Sequence, residues 1–195
     1  VRQLLALFLL ALALPCAAVE YHPSIYPLRA GLVVPLHVAG NVSIVNAQPK
    51  STDEIVYKYS FAKMTGTMHD VTQTMADQTR MELGLKEQAA APADKTIELK
   101  VNSLLSKYKF FSWASNMQFE ARLGDGTVIT KDVPHASGVL IQDLNGCIAE
   151  GVIALLADPQ VRAYIEAPAA GATGAAPAAA AEAPAAAAAE PSTQN

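Results

Sequence analysis

Residues 96–133 read TIELKVNSLLSKYKFFSWASNMQFEARLGDGTVITKDV, and this stretch decides the fold. At its start Ile97, Leu99 and Val101 alternate with Glu98, Lys100 and Asn102. Successive side chains of a strand point to opposite faces, so Thr96 to Leu104 is a strand with one buried and one solvated face. Ser112 to Leu123 repeats the pattern, with Met117, Phe119, Ala121 and Leu123 opposite Asn116, Gln118, Glu120 and Arg122. Gly124-Asp125-Gly126 supplies the positive φ that a tight hairpin needs, and Thr127 to Val133 returns as a partner strand. The spacing predicts a three-stranded antiparallel meander.

Upstream, Leu32 to Val45 is rich in Val, Ile and Leu and reads as a strand bent near Gly40. Ile55 to Phe61 places Tyr57, Tyr59 and Phe61 on one side of a second strand. A helix is expected from Met68 to Gln88, with Met68, Val71 and Met75 at helical spacing and Gly84 weakening its second half. Downstream, Ile141, Leu144, Ile148, Val152 and Leu155 form one stripe of a helix over Ile141 to Ala157. Asp158-Pro159 reads as an N-cap followed by Pro at the first helical position, opening a short last turn with Val161, Tyr164 and Ile165. The expected fold class is α+β: a single domain with a mostly antiparallel sheet, the meander plus N-terminal strands, and two main helices packed on one face.

Four zones divide the chain. Residues 1–18 read as a signal peptide, because Arg2 is followed by the unbroken apolar run Leu4 to Leu14. Eleven residues at helical rise cover roughly 16 Å, about half of a ~30 Å hydrocarbon core, too short to span it. Residues 19–30 are an extended approach segment with Pro23 and Pro27, and 31–167 carry the mixed periodicity of an α+β domain. Residues 168–195 are almost wholly Ala and Pro, and read as a disordered, semi-extended tail. The leader allows two processing routes. Cleavage after Ala18 frees a soluble periplasmic chain beginning at Val19, whereas cleavage before Cys16 leaves a cysteine able to carry acyl chains. Pro15, immediately before Cys16, is unfavourable for the second route, since it lacks an N–H and fixes φ. A Val at position 1 is read as an alternative start codon, which favours a bacterial source and discounts Asn41-Val42-Ser43 as a glycosylation signal.

Without residues 1–18 the balance is 13 basic against 18 acidic side chains, and this mild acidity without basic runs argues against nucleic acid as a partner. Cys147 has no disulfide partner once Cys16 is removed or acylated, and its apolar helical setting reads as a buried, inert thiol. His22, His37, His69 and His135 lack the close ligand spacing of a zinc site, and no Gly-x-Ser-x-Gly elbow occurs. No catalytic residue, metal or cofactor is expected. Phe110, Phe111 and Trp113 place three large apolar side chains within four residues, which are difficult to bury on one strand face. They are candidates for an interface or a ligand groove, with core and sheet-edge packing as the other reading.

The run from Ile97-Glu98-Leu99-Lys100-Val101 through Asn116-Met117-Gln118-Phe119, Asp125-Gly126 and Lys131 to Leu144-Asn145 and Leu155-Leu156-Ala157-Asp158-Pro159-Gln160 resembles the YajG-like family of small bacterial envelope lipoproteins. The likeness covers roughly residues 65–165; the acylation site with Pro15 and the Ala/Pro tail depart from it. The resemblance implies a non-catalytic accessory or assembly factor, acting through contacts with an envelope protein partner, and gives no catalytic residues to carry over. It also implies residence in the periplasm, anchored at the outer membrane if Cys16 is acylated. The alternative is a periplasmic carrier of a lipid or other apolar ligand, held between sheet and helices.

Overall fold

The computed structural model describes residues 18–50, 52–85 and 93–168. The leader with Cys16, the end of the expected first helix and all of the Ala/Pro tail beyond Pro168 lie outside the described residues. Ten elements follow in order: β1 (Val19–Glu20), β2 (Val42–Asn46), β3 (Glu54–Tyr59), β4 (Ala62–Gly66), α1 (Met68–Glu82), β5 (Lys95–Lys109), β6 (Ser112–Leu123), β7 (Val128–Ser137), α2 (Leu140–Leu156) and α3 (Pro159–Glu166). The fold is α+β, a single mixed sheet with the helices on one side.

The expected meander is β5, β6 and β7, antiparallel in sequence order. Its first strand runs five residues past Leu104 because of a bulge: Val101 pairs with Phe119 and Ser103 with Gln118, which leaves Asn102 as the extra residue. That insertion resets the alternation, so that Ile97, Leu99, Val101 and then Leu104 all face the core. On its other edge β5 takes two parallel neighbours in succession, β2 along Lys95 to Leu99 and β3 at Ser106. Between them the Val101 N–H has no strand to bond, and it donates to Thr72 Oγ1 of α1 at 3.0 Å.

The segment expected as a long strand from Leu32 is corrected: only Val42–Asn46 is strand. Pro35 cannot donate to a ladder, and Gly40 at φ 74° breaks the extended run. The carbonyls there are taken by other partners, Val34 and Pro35 by Arg162 at 3.3 and 3.0 Å, and Ala39 by Lys95 Nζ at 2.8 Å. The Lys95 ammonium also donates to the carbonyls of Ile165 and Ala167 at the end of α3. Burial lowers its pKa, partly offset by Asp94. The first helix ends at Glu82 rather than Gln88, with Gly84 at φ 63° carrying the exit turn.

The core lies between the sheet and the helices, and runs from Tyr21 to Ile165 along the chain. Met68, Val71 and Met75 of α1 and Leu144, Ile148, Val152 and Leu155 of α2 meet Ile97, Leu99, Met117, Phe119 and Leu123. The approach segment is fastened to the helices: Tyr21 Oη donates to Asn145 Oδ1 at 2.6 Å, and Gln78 Nε2 to the Tyr26 carbonyl at 2.7 Å.

Asp158 caps α3 as the Asp-Pro pair predicts, accepting from the N–H groups of Gln160 (2.8 Å) and Val161 (3.3 Å), and it pairs with Lys131 Nζ at 2.6 Å. Burial pushes its carboxyl pKa up, but Lys131 and the two N–H groups outweigh that and hold it below the ordinary value. A lowered folded pKa contributes stability above the ordinary carboxylate range, and the contribution is lost as pH falls through the lowered value. Asp158→Ala should therefore lose about 1–2 kcal/mol at neutral pH. In thermal melts from pH 7 downward, the gap between variant and wild type should close below about pH 4.

Candidate functional site

The two hairpin turns at one end of the sheet carry the most exposed large apolar side chains of the described chain. β5 and β6 close through Lys109 and Ser112, leaving Phe110-Phe111 as a two-residue turn. β3 and β4 close through Tyr59 and Ala62, leaving Ser60-Phe61. β3 runs parallel to β5, so both turns project from the same end. Phe110 is 94 % exposed, Phe111 89 % and Phe61 83 %.

The backbone there is unfavourable for these residues. Phe110 has φ 34° and Phe111 φ 64°, both in the left-handed region. A two-residue hairpin with positive φ at both positions is a type I′ turn, for which Asn-Gly is preferred and a bulky side chain costs roughly 1–2 kcal/mol per residue. The turn is nevertheless well tied. The Phe111 N–H donates to Tyr108 Oη at 3.2 Å, and Ser112 Oγ donates to the Lys109 carbonyl at 2.9 Å.

Behind the tips stands an aromatic stack. Tyr59 meets Tyr108 edge-on at 5.5 Å between ring centroids, and Tyr108 meets Trp113 at 5.2 Å. The structure thus divides the sequence-predicted trio. Phe110 and Phe111 stand in solvent at the turn, whereas Trp113 is half-buried and packs against the core. Tyr59 stands with Tyr108 and Trp113 as their common place near strand ends in the sequence suggests, and Phe61 joins this end from the same hairpin as Tyr59, an association that residue spacing could not reveal. Ala18 and β1 also lie at this end: β1 is parallel to β4, with Val19 opposite Met64 and Glu20 opposite Thr65, so the chain enters the sheet from the side of Ala62 and Phe61.

A second feature unseen in the sequence is a buried polar tie. Asp143, in the first turn of α2, accepts from Ser106 Oγ of β5 at 2.6 Å and from Ser115 Oγ of β6. All three residues are buried. Two hydroxyl donors and the positive end of a helix suit a carboxylate, but a nucleophilic serine must reach a substrate and a base, and these serines sit inside the core. Cys147 is likewise interior; it donates to the Val133 carbonyl at 3.3 Å, and burial pushes its thiol up to about 12, away from the reactive thiolate. Among the described residues no three His, Cys, Asp or Glu side chains converge to hold a metal ion. His69 Nδ1 lies 2.8 Å from the Gln48 carbonyl, and His135 lies 4.0 Å from Glu150. Hollows in the surface include one of about 360 Å³ beside Tyr164 and Asp125, at the opposite end of the sheet from the aromatic tips.

No family model matches the chain, and no curated protein matches it.

If the Phe-Phe turn is kept for contact rather than folding, then replacing it with the pair the backbone prefers should stabilise the domain. Phe110→Asn with Phe111→Gly is expected to raise the unfolding free energy by about 1 kcal/mol or more in urea titrations. A loss of stability would show that the two rings contribute to the fold.

Proposed function

We propose that this chain is a non-catalytic accessory or assembly factor of the bacterial envelope, exported by its leader and working by docking through its aromatic end. One observation carries the reading: two adjacent phenylalanines are held in solvent on a turn whose backbone disfavours them. Local strain persists where the surroundings determine it, and it concentrates at functional positions. Exposed aromatic side chains rimmed by polar residues mark contact surfaces.

The sequence resemblance to YajG-like lipoproteins points to the same class. The carrier reading needs a chamber between sheet and helices. That space is occupied by Met75, Met117, Phe119 and Val152, all fully buried. The Met117 side chain also fills the space against Gly151 of α2, where a Cβ would meet its terminal methyl group.

Two measurements test the proposal. A photo-crosslinking phenylalanine analogue at position 110 should form an adduct in intact envelopes, while the same analogue at Thr130 on the open sheet face should not. Equal adducts at both positions, or none at 110, would sink the docking site. A fatty-acid analogue should label the wild type and spare Cys16→Ala if the chain is a lipoprotein; absence of label would place it with chains cut after Ala18.

A further inference from the structure

Resting on the docking reading, we infer that the aromatic end binds an anionic phospholipid surface, with Phe61, Phe110 and Phe111 entering the interface and the surrounding lysines meeting the headgroups.

Charge distinguishes the two hairpins from the rest of the molecule, while Glu20 of β1 stands exposed beside His22 at the same end. The chain as a whole is acidic, with a formal net charge of −4. Yet residues 55–69 and 99–119, which build the two hairpin tips, contain no Asp or Glu. Close to the turns they carry Lys58 and Lys63, opposite each other at the base of one turn, and Lys107 and Lys109 on the last residues of β5. All four lysines are exposed. Phenylalanines at a tip, with tyrosines behind them on the helix side and lysines on the open side of the sheet, match the layers of a bilayer edge: acyl chain, carbonyl region and phosphate. A protein-binding hot spot would instead place its aromatics in a packed centre with charge depleted around it. Here the apolar side chains stand exposed on the turns, and the cations lie behind them on the open face of the sheet.

The direction of the chain is an independent pointer. β1 enters the sheet from the aromatic end, where Ala18 is the first described residue, and Cys16 precedes it by two positions in the sequence. An acyl anchor at Cys16 would hold the protein with Phe61, Phe110 and Phe111 toward the same leaflet. One acyl chain or one shallow aromatic contact gives only marginal membrane binding, and two signals together give stable attachment.

The test uses residues 19–195, which contain the whole buried core and lack the apolar leader, so the tip is measured alone. It should sediment with vesicles containing phosphatidylglycerol and not with pure phosphatidylcholine, and raised salt should weaken the binding. Brominated phosphatidylglycerol should quench the single tryptophan, Trp113, which stands beside the tip. Phe110→Ser with Phe111→Ser should reduce vesicle partitioning at least tenfold with an unchanged melting temperature, because both side chains are almost wholly exposed. Lys107→Glu with Lys109→Glu should remove the preference for phosphatidylglycerol, each lysine near an anionic surface contributing roughly fivefold. Failure of the wild-type chain to bind phosphatidylglycerol vesicles, or equal binding by the Phe110/Phe111 variant, overturns the lipid assignment. If a protein adduct still forms from position 110 in envelopes, docking stands and its partner is a protein. If neither vesicles nor envelopes engage position 110, both readings fall.

Discussion

The antiparallel ladder between β5 and β6 is the interaction on which the other elements depend. It joins residues from Ile97–Leu123 at one end to Lys109–Ser112 at the other, and β2, β3 and β7 all attach to its two strands. Its register contains one irregularity, the bulge at Asn102. A one-residue shift exchanges the faces of everything beyond it. Without the bulge Leu104, Ser106 and Tyr108 would face the open side of the sheet. With it, Leu104 extends the core, Ser106 reaches Asp143, and Tyr108 stacks between Tyr59 and Trp113. One inserted residue therefore places both the buried polar tie and the aromatic base of the tips.

Length explains why those tips overhang. The fifteen residues of β5 span about 50 Å at strand rise, while the seventeen of α2 span about 25 Å at helical rise. Helices of this size cannot cover such a hairpin from end to end. At the far end the helix side of the sheet is covered by aromatic rings, and beyond them the chain turns through Phe110 and Phe111 in open solvent. A hairpin needed only for folding could have closed earlier on a turn of glycine and asparagine. Gly124 to Gly126 does this at the opposite end, where Gly126 takes φ 91° and the Asp125 carboxylate accepts from the Thr127 N–H at 2.8 Å. The same sheet thus has one turn built for stability and one built from residues that work against it.

That contrast also decides what was legible in the sequence. Ser112 to Leu123 could be read to the residue, because period-two alternation and a glycine turn are local signals. The Asp158 cap was legible for the same reason. Leu32 to Val45 was overextended because apolar composition resembles a strand whether or not its carbonyls have strand partners; here Arg162 and Lys95, distant in sequence, take them. β4 went unread because Ala62 to Gly66 is short and does not alternate. The parallel pairings of β1, β2 and β3 join distant segments and leave no periodicity. At the candidate site Phe110, Phe111 and Trp113 stood out as a group, but their division into turn and core did not. A turn made of two phenylalanines carries none of the residues by which turns are recognised, so the strain that marks the site also concealed it.

The entry direction of β1 changes what is at stake at Cys16. On composition alone, acylation and cleavage after Ala18 describe two different proteins, one tethered and one free. If the aromatic end meets a membrane as inferred above, a chain entering at that end lets both routes present the same face to the surface, and they differ in the number of attachments. An acyl anchor at Cys16 would raise the effective concentration of the tips at such a leaflet without any new contact between them and lipid. The tips then set orientation, because a single flexible attachment leaves the body free to tilt, whereas two hairpins side by side resist it. In a chain cut after Ala18 the phenylalanines and lysines would have to supply the affinity alone, which would make binding reversible and dependent on salt. On that reading Pro15 would govern how long the protein stays at the membrane, while the two turns would govern how it stands there.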